Sequence, residues 1–534
     1  MHFYCIVWAL CAGNSVAGSL HPTRFPRQTE GAVADFEEFA RSYNLSEEQI
    51  KTLGAKYEQA NTSAEQVEVA CQTAQSSLGE AQVDTSPLNQ TAVQENWSQT
   101  CWAQPACIIE PQDAEAVSTT IGIISFYQVK FAVRSGGHSP NPSWSSVGQD
   151  GILVSLDQLK DITLSGDGTY ASVGPGAHWG DVYTSLDPYE AVVVGGRDPS
   201  PGVGGLILGG GYFHLSNQFG LAADNVKSFQ IVLSDGSIVD VSMDSNPDLF
   251  WALKGGGPNF GIVTRYDLYT VPVYTIWAEI LVFSTDHALE LISAYDLWQN
   301  EGASDVKSSV AFSISLDAVI LGLIYSEPSN DPPAAFDVFY DFVPQQVALP
   351  PMNTTFANLN QIIGALYPAK SQRHDYRGFS TLIDTNLTQQ VYTSWHEKAV
   401  AVHNATGANQ TFVFQHVGVE LVEEGNRRGG NPLNLPLEDM QWWTATADWE
   451  DEADDELVRS VSIETTALWE RLATERGVNI AFLFMNDASR DQDPLSTYGS
   501  ASVARLREIS QTYDPTQLFQ TLQNGGFLLS KVSQ

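Results

Sequence analysis

The chain has 534 residues and a formal net charge of −37, with 26 basic residues against 63 acidic ones. That balance excludes a nucleic-acid surface, whose phosphates require a basic partner, and argues equally against anionic membranes. A hydrophobic content of 43% with 17% charged residues excludes a disordered chain, and the length leaves room for more than one domain and a large core.

Phe3 to Ala12 is an apolar run too short to span a bilayer, and the small residues Ser15-Val16-Ala17-Gly18 follow it. The pattern predicts a signal peptide over 1–18, although the usual positive start is missing and only His2 stands there. Eight Asn-x-Ser/Thr sequons, at Asn44, Asn61, Asn89, Asn96, Asn353, Asn386, Asn404 and Asn409, point the same way, to a secreted glycoprotein. No later stretch is long and apolar enough for a transmembrane helix. Cys5 and Cys11 leave with the signal peptide. Cys71, Cys101 and Cys107 remain, allowing one disulfide and one free thiol in any of three pairings. No Cys-x-x-Cys zinc pattern occurs, and no metal is expected.

Residues 19–96 read as a polar, helical segment, with a capping-box start at Ser46-Glu-Glu-Gln and helix-forming residues from Asn61 to Gln75. From Ile108 the texture changes. Pro111-Gln-Asp-Ala opens a helix, Val129 to Val133 is a strand, and Ile152-Leu-Val-Ser-Leu, Tyr170-Ala-Ser-Val and Ala191-Val-Val-Val are further short strands. Phe229 to Val241 is a hairpin turning at Asp235-Gly236. Helical patterns interleave at Trp179 to Leu186 and Asp248 to Lys254. After Thr270 glycine thins out, and strands such as Thr275 to Phe283, Val310 to Leu316 and Phe412 to Val417 alternate with longer helices. The acidic run from Trp449 suits the positive end of a helix dipole and is read as a solvated helix start.

The most informative stretch is Phe131-Ala-Val-Arg134-Ser135-Gly136-Gly137-His138-Ser139, a buried strand running into a turn of small residues that ends on a histidine. Small residues let several backbone N–H groups converge on one anion, and Arg134 adds a cation. Three glycine clusters follow, around Gly174-Pro-Gly176, from Gly195 to Gly211, and from Gly255 to Gly261. None has the Gly-x-Gly-x-x-Gly spacing of a Rossmann site: counted from Gly202 the third position is Ile207, and from Gly174 it is Trp179. No P-loop and no Gly-x-Ser-x-Gly elbow occurs, and His396-Glu397 lacks a second histidine because position 400 is Val400. What remains is a large dinucleotide laid in an extended cleft between two α/β subdomains.

Together, Arg134 to His138, the Gly202-Val-Gly-Gly to Gly209-Gly-Gly-Tyr cluster, Gly220-Leu-Ala-Ala-Asp224-Asn225-Val and the Asp248 to Thr264 run resemble the berberine bridge enzyme-like flavoproteins of the vanillyl-alcohol oxidase superfamily. Tyr513-Asp-Pro-Thr-Gln-Leu-Phe and Gly429-Gly430-Asn431-Pro look like its fungal branch, and the match runs in register from about Trp97 to the end. The resemblance implies an α+β fold: a two-subdomain PCMH-type FAD-binding domain over 97–271, an α/β substrate domain with a large antiparallel sheet over 272–489, and a segment over 490–534 returning to the FAD domain. It implies FAD bonded through its 8α-methyl carbon to His138, with the pyrophosphate held by Arg134, Ser135, Gly136, Gly137, His138 and Ser139. Further FAD contacts are implied at Gly204, Gly205, Gly209, Gly210, Gly220, Asp224, Asn259, Gly261 and Ile262. It also implies a Cys71–Cys107 disulfide, leaving Cys101 as a small core residue.

Three departures stand out. Asp198 occupies the place where many relatives carry a cysteine that makes a second flavin bond, so a single linkage through His138 is expected. That loss usually accompanies a narrower substrate site, which weakens the analogy to oligosaccharide oxidases. Leu206 and Ser502 replace polar residues of many relatives.

The activity that the resemblance implies is an oxidase or dehydrogenase: a hydride passes from a small organic substrate to flavin N5, and O2 or another acceptor takes the electrons. A tailoring step in secondary metabolism by a monomeric enzyme is expected; a carbohydrate or alcohol oxidase, or a flavin-binding protein with little turnover, is the alternative. The sequence does not select the base. Gln415, His416, Glu420, Tyr212, His214 and Tyr498 are candidates.

Overall fold

The computed structural model describes residues 30–43, 45–366 and 371–532. The expected signal peptide and the Asn44 sequon lie outside the described residues. Among the described residues no helix is long and apolar enough to cross a membrane.

Three sheets organise the described residues. The first runs Val83–Thr85, Cys107–Ile109, Gly151–Ser155, Lys130–Arg134, with its last three strands parallel. Helix Ala114–Tyr127, started by the Asp113 side chain on the Ala116 amide, packs against it. The N-terminal helices Glu47–Gln59 and Ser63–Leu78 begin in capping boxes at Ser46 and Thr62, and their apolar faces join the same core through Leu53, Val67 and Ala70. Cys71 and Cys107 form the disulfide that the resemblance implied, and Cys101 is free and buried.

The second sheet runs Ile162–Leu164, Tyr170–Val173, Ile262–Val271, Val226–Val232, Ile238–Ser242, all antiparallel, with Val192–Val193 added on Ile262–Val271. The expected hairpin is present, and Gly236 takes the positive φ of +81° that its turn demands.

The third sheet is the large antiparallel one. Its order is Gln346–Thr355, Thr275–Phe283, Val319–Tyr325, Ser308–Ile314, Asn409–Val417, Met440–Trp449, Arg373–Leu382. Side chains alternate across a strand, so each strand serves two surroundings. Phe412, Phe414 and Trp443 pack under helices Ala288–Asn300, Thr385–Thr406 and Asp455–Arg476, whereas Val417 and Trp442 join a core shared with Phe213, Leu221 and Tyr266 of the glycine-rich region. The acidic run ends in the start of helix Asp455–Arg476, where Asp455 pairs with Arg373 and accepts from the Trp449 indole. After helix Ser500–Tyr513 the chain returns to the first sheet: the Phe131 amide donates to Leu522 and the Asn524 amide to Phe131.

Candidate cofactor and active site

The turn after Lys130–Arg134 behaves as its small residues require. Among the described residues, the amides of Ser135, Gly136, Gly137 and His138 donate to no protein acceptor. Four consecutive unmatched donors beside a cleft suit a diphosphate. A Cβ on Gly136 would lie 2.5 Å from the Gly202 nitrogen, so the two glycine turns meet backbone to backbone. Gly204 packs on Ser135, and the exposed Gly205 opens onto free space, a cradle that a side chain would begin to fill. These residues fit the phosphates of a dinucleotide.

Other expected contacts are engaged elsewhere. The cation expected at Arg134 is buried against Glu95 at 2.5 Å, and it donates to the Ala92 carbonyl at 2.6 Å; it braces the turn from behind. The Ser135 hydroxyl donates to the Pro175 carbonyl, and the Ser139 carbonyl accepts from the Cys101 thiol. Gly209 makes room for Asn486, and Gly210 packs against Phe484 and Leu433. Gly220, at φ +79°, lets the chain turn so that buried Asp224 accepts from the Leu221 amide and from Asn431 and pairs with Lys254. Two glycine motifs far apart in sequence thus meet on one carboxylate. The Asn259 amide is saturated by Gly256, Phe527, Leu529 and Gln520, and it clamps the C-terminal segment. Gly261 passes close to Val232, and Ile262 starts a strand paired with it.

His138 is half-buried where the glycine turn meets the large sheet. Its Nδ1 lies 3.0 Å from the Tyr376 hydroxyl and its Nε2 lies 3.0 Å from the Ser200 hydroxyl. The Trp97 indole stacks on His138 at 4.3 Å and on His374 at 3.6 Å, and His374 Nδ1 lies 2.5 Å from Asp448. Burial holds His138 down to about 4, against the opposing charge of Asp198, so the imidazole is neutral at neutral pH.

Farther along the inward face of the large sheet, Arg197 donates to the Gln415 carbonyl oxygen at 2.8 Å. The Gln415 amide in turn donates to Asp487 Oδ2 at 2.6 Å, where the Thr444 hydroxyl also donates at 2.7 Å. Burial pushes the Asp487 carboxyl above the usual carboxylate range. Its neighbour Asn486 donates to the carbonyls of Gly205 and Leu206 and accepts from the Gly211 amide, tying Asp487 to the glycine floor.

Of the base candidates, only Gln415 reaches this cluster directly. Tyr212 lies beside it under Arg197, but its hydroxyl donates to the His416 carbonyl and burial raises it to about 12. The His416 ring points to the helix side, 3.3 Å from Gln299. Glu420 is exposed, Tyr498 donates to the Gly255 carbonyl, and His214 sits in a small apolar pocket with Tyr183, Phe213 and Phe356. Sequence reasoning missed His374, Tyr376 and Asp487. The one available signal was Arg373-His-Asp-Tyr-Arg377, a strand polar on both faces, which an ordinary half-buried strand avoids.

A family model described as an FAD binding domain matches residues 105–242. An FAD-dependent monooxygenase of Arthrobotrys oligospora is 38% identical over 435 residues, covering 82% of this chain and 84% of that protein. The bifunctional solanapyrone synthase of Alternaria solani is 35% identical over 434 residues, covering 81% and 83%. Among solved structures, berberine bridge enzyme-like protein 1 of Physcomitrella patens shares the fold at a TM-score of 0.69 and 18% identity, covering 83% of this chain and 96% of that one. So does the glucooligosaccharide oxidase of Acremonium strictum, which carries a 6-S-cysteinyl, 8α-N1-histidyl FAD (TM-score 0.67, 18% identity, 82% and 95% covered). The protein is an FAD-linked oxidoreductase that acts on a small molecule and an electron acceptor. It belongs to the family of the fungal FAD-dependent monooxygenases, and it shares its fold with the berberine bridge enzyme-like protein.

Proposed function

We propose that the protein is a secreted oxidase or dehydrogenase that oxidises a small organic molecule at an alcohol, amine or activated carbon, with FAD held covalently through His138 alone. The observation that carries this reading is the row of amides ending at His138 beside the strand whose Tyr376 touches His138 and whose Gly378 lies against the buried Asp487. FAD, when bound, supplies the two-electron oxidation of a substrate C–H bond and returns the electrons to O2 or another acceptor. The amides of Ser135 to His138 bind its phosphates, and His138 fixes one edge of the ring. On the opposite wall Arg197 orients the Gln415 amide, which holds Asp487 Oδ2 together with Thr444. Oδ1 is left to take the proton of the substrate hydroxyl or amine. The Asp198 carboxylate cannot form the thioether that a cysteine forms, which supports one linkage and not two.

The kinship with solanapyrone synthase supports a tailoring step in secondary metabolism. The acidic surface and the exposed sequons support export. An anaerobic screen of candidate alcohols and amines, following loss of the oxidised flavin band, tests the activity. A substrate that bleaches the band is expected, with peroxide formed on readmitting air if O2 is the acceptor. A protein whose flavin no alcohol, amine or activated C–H compound reduces contradicts this reading.

A further inference from the structure

Asp198 and Ser200 form a relay to His138. Asp198 Oδ1 accepts the Ser200 amide at 2.9 Å and the Ser200 hydroxyl at 2.7 Å. A serine hydroxyl carries one hydrogen, and here it is directed at Asp198. The Ser200 oxygen is therefore an acceptor toward His138 Nε2, 3.0 Å away, which places the imidazole proton on Nε2. At the other end of the ring the Tyr376 hydroxyl, which can donate or accept, lies 3.0 Å from Nδ1; with the proton on Nε2 it donates there, and it gives up that contact when Nδ1 bonds. The Ser200 end sets the tautomer and the Tyr376 hydroxyl accommodates it.

We infer that Asp198 and Ser200 are positioning residues for flavin attachment: they hold His138 as the Nε2–H tautomer, present the Nδ1 lone pair as the nucleophile, and receive the Nε2 proton once Nδ1 has bonded. This rests on His138 being the residue that carries the flavin. In the step, Nδ1 bonds to the 8α carbon while one hydrogen leaves that carbon and one leaves Nε2, both as protons. The two electrons released pass to dioxygen, which with the two protons becomes hydrogen peroxide. Bonding at Nδ1 makes the imidazole a cation until Nε2 lets go. The Asp198 charge favours that cation, against the burial and the His374 and His178 rings that oppose it. The carboxylate that replaces a second anchor thus assists the first.

The Asp198–Ser200 contact is also an ordinary turn, and a turn alone sets no tautomer. The test uses the full-length chain made under riboflavin starvation and then given FAD. Acid-stable flavin is followed with time, and reversible FAD binding is measured separately by fluorescence quenching. S200A and D198N are expected to slow covalent incorporation about tenfold or more, to leave FAD affinity within about threefold, and to be distinguished by S200T, which restores the rate. Histidine-selective 15N spectra of the flavin-free chain are expected to show His138 protonated at Nε2. An S200A rate equal to wild type, or an Nδ1–H tautomer in the wild type, overturns the relay while leaving the histidyl bond intact. A wild-type protein whose flavin is released by acid, or is bonded to another residue, overturns the histidyl reading and the relay with it.

Discussion

The Tyr376 hydroxyl lies 3.0 Å from Nδ1 of His138, a hydrogen bond joining two residues 238 positions apart in the chain. One belongs to the edge strand of the seven-stranded sheet and the other to the glycine turn. The contact fixes which face of that sheet lies against the glycine turn. Tyr376 pairs in register with Thr446, and Gly378 with Thr444, so the inward row leads from His138 toward Gln415 and Asp487. Trp97 completes the junction by stacking on both His138 and His374.

Asp487→Asn keeps the size of the side chain and removes its basicity. The expected result is a fall in kcat of about 10²- to 10⁴-fold with covalent flavin retained. Because burial raises the carboxyl, wild-type kcat/KM is expected to rise with pH as Asp487 loses its proton and then to level off. Glu420→Gln, on the exposed side of its helix, should leave kcat unchanged. Steady-state kinetics decide, and near-wild-type turnover in Asp487→Asn removes it as the base.

The two glycines at the cleft differ in what a methyl group would meet. Gly136→Ala sets a Cβ 2.5 Å from a backbone nitrogen of the facing turn and should cost about 1–3 kcal/mol in the flavin-free protein. Gly205→Ala points into open space and should melt like wild type, yet bind FAD more weakly. Thermal melts paired with FAD titrations separate the two effects. A Gly205→Ala protein with normal FAD affinity would remove that glycine from the cofactor floor.

Much of this was legible in the sequence, because glycine turns, caps and a failed Rossmann spacing are local constraints. The histidine turn, the Asp235-Gly236 hairpin and the helix at Trp179 follow from residues within a few positions. The destination of a polar side chain does not. Arg134 suits an anion, but Glu95 lies closer; Asp224 and Asn259 suit a ligand, but Lys254, Asn431 and the Phe527 carbonyl claim them. On the Asn409–Val417 strand Gln415 and His416 are equally polar neighbours, and only the placement of the covering helices tells that Gln415 faces the cleft. Asp487 lies in an irregular segment with no periodicity to mark it.

Buried histidines set the response to acid. Burial holds His214 down to about 3 and His416 down to about 4, from an ordinary 6.5. Each stays neutral in the fold while the unfolded chain takes up a proton below about 6.5, so their contribution is full above that pH and is lost as pH falls toward 4 and 3. The loss is about 2 kcal/mol per histidine near pH 5. Asp296, pushed up to about 6, works in the opposite direction, so the comparison is made between variants. The drop in Tm between about pH 7 and about pH 5 should be smaller in His416→Gln than in wild type. An identical drop contradicts the burial of that ring.

Asn96 is 2% exposed; its amide donates to the Cys101 carbonyl and its oxygen accepts from the Ser145 hydroxyl. Glycopeptide mapping of protein secreted from a eukaryotic host should find no glycan there, with occupancy confined to exposed sequons such as Asn61, Asn353 and Asn404. A glycan on Asn96 is incompatible with this packing.

Acid precipitation of the holoprotein followed by peptide mass analysis decides whether a single covalent flavin sits on His138. A yellow, fluorescent pellet is expected, with an FAD mass on the peptide that contains His138 and no second bond at Asp198. A colourless pellet from intact protein, or unchanged flavin retention in His138→Ala, would contradict it.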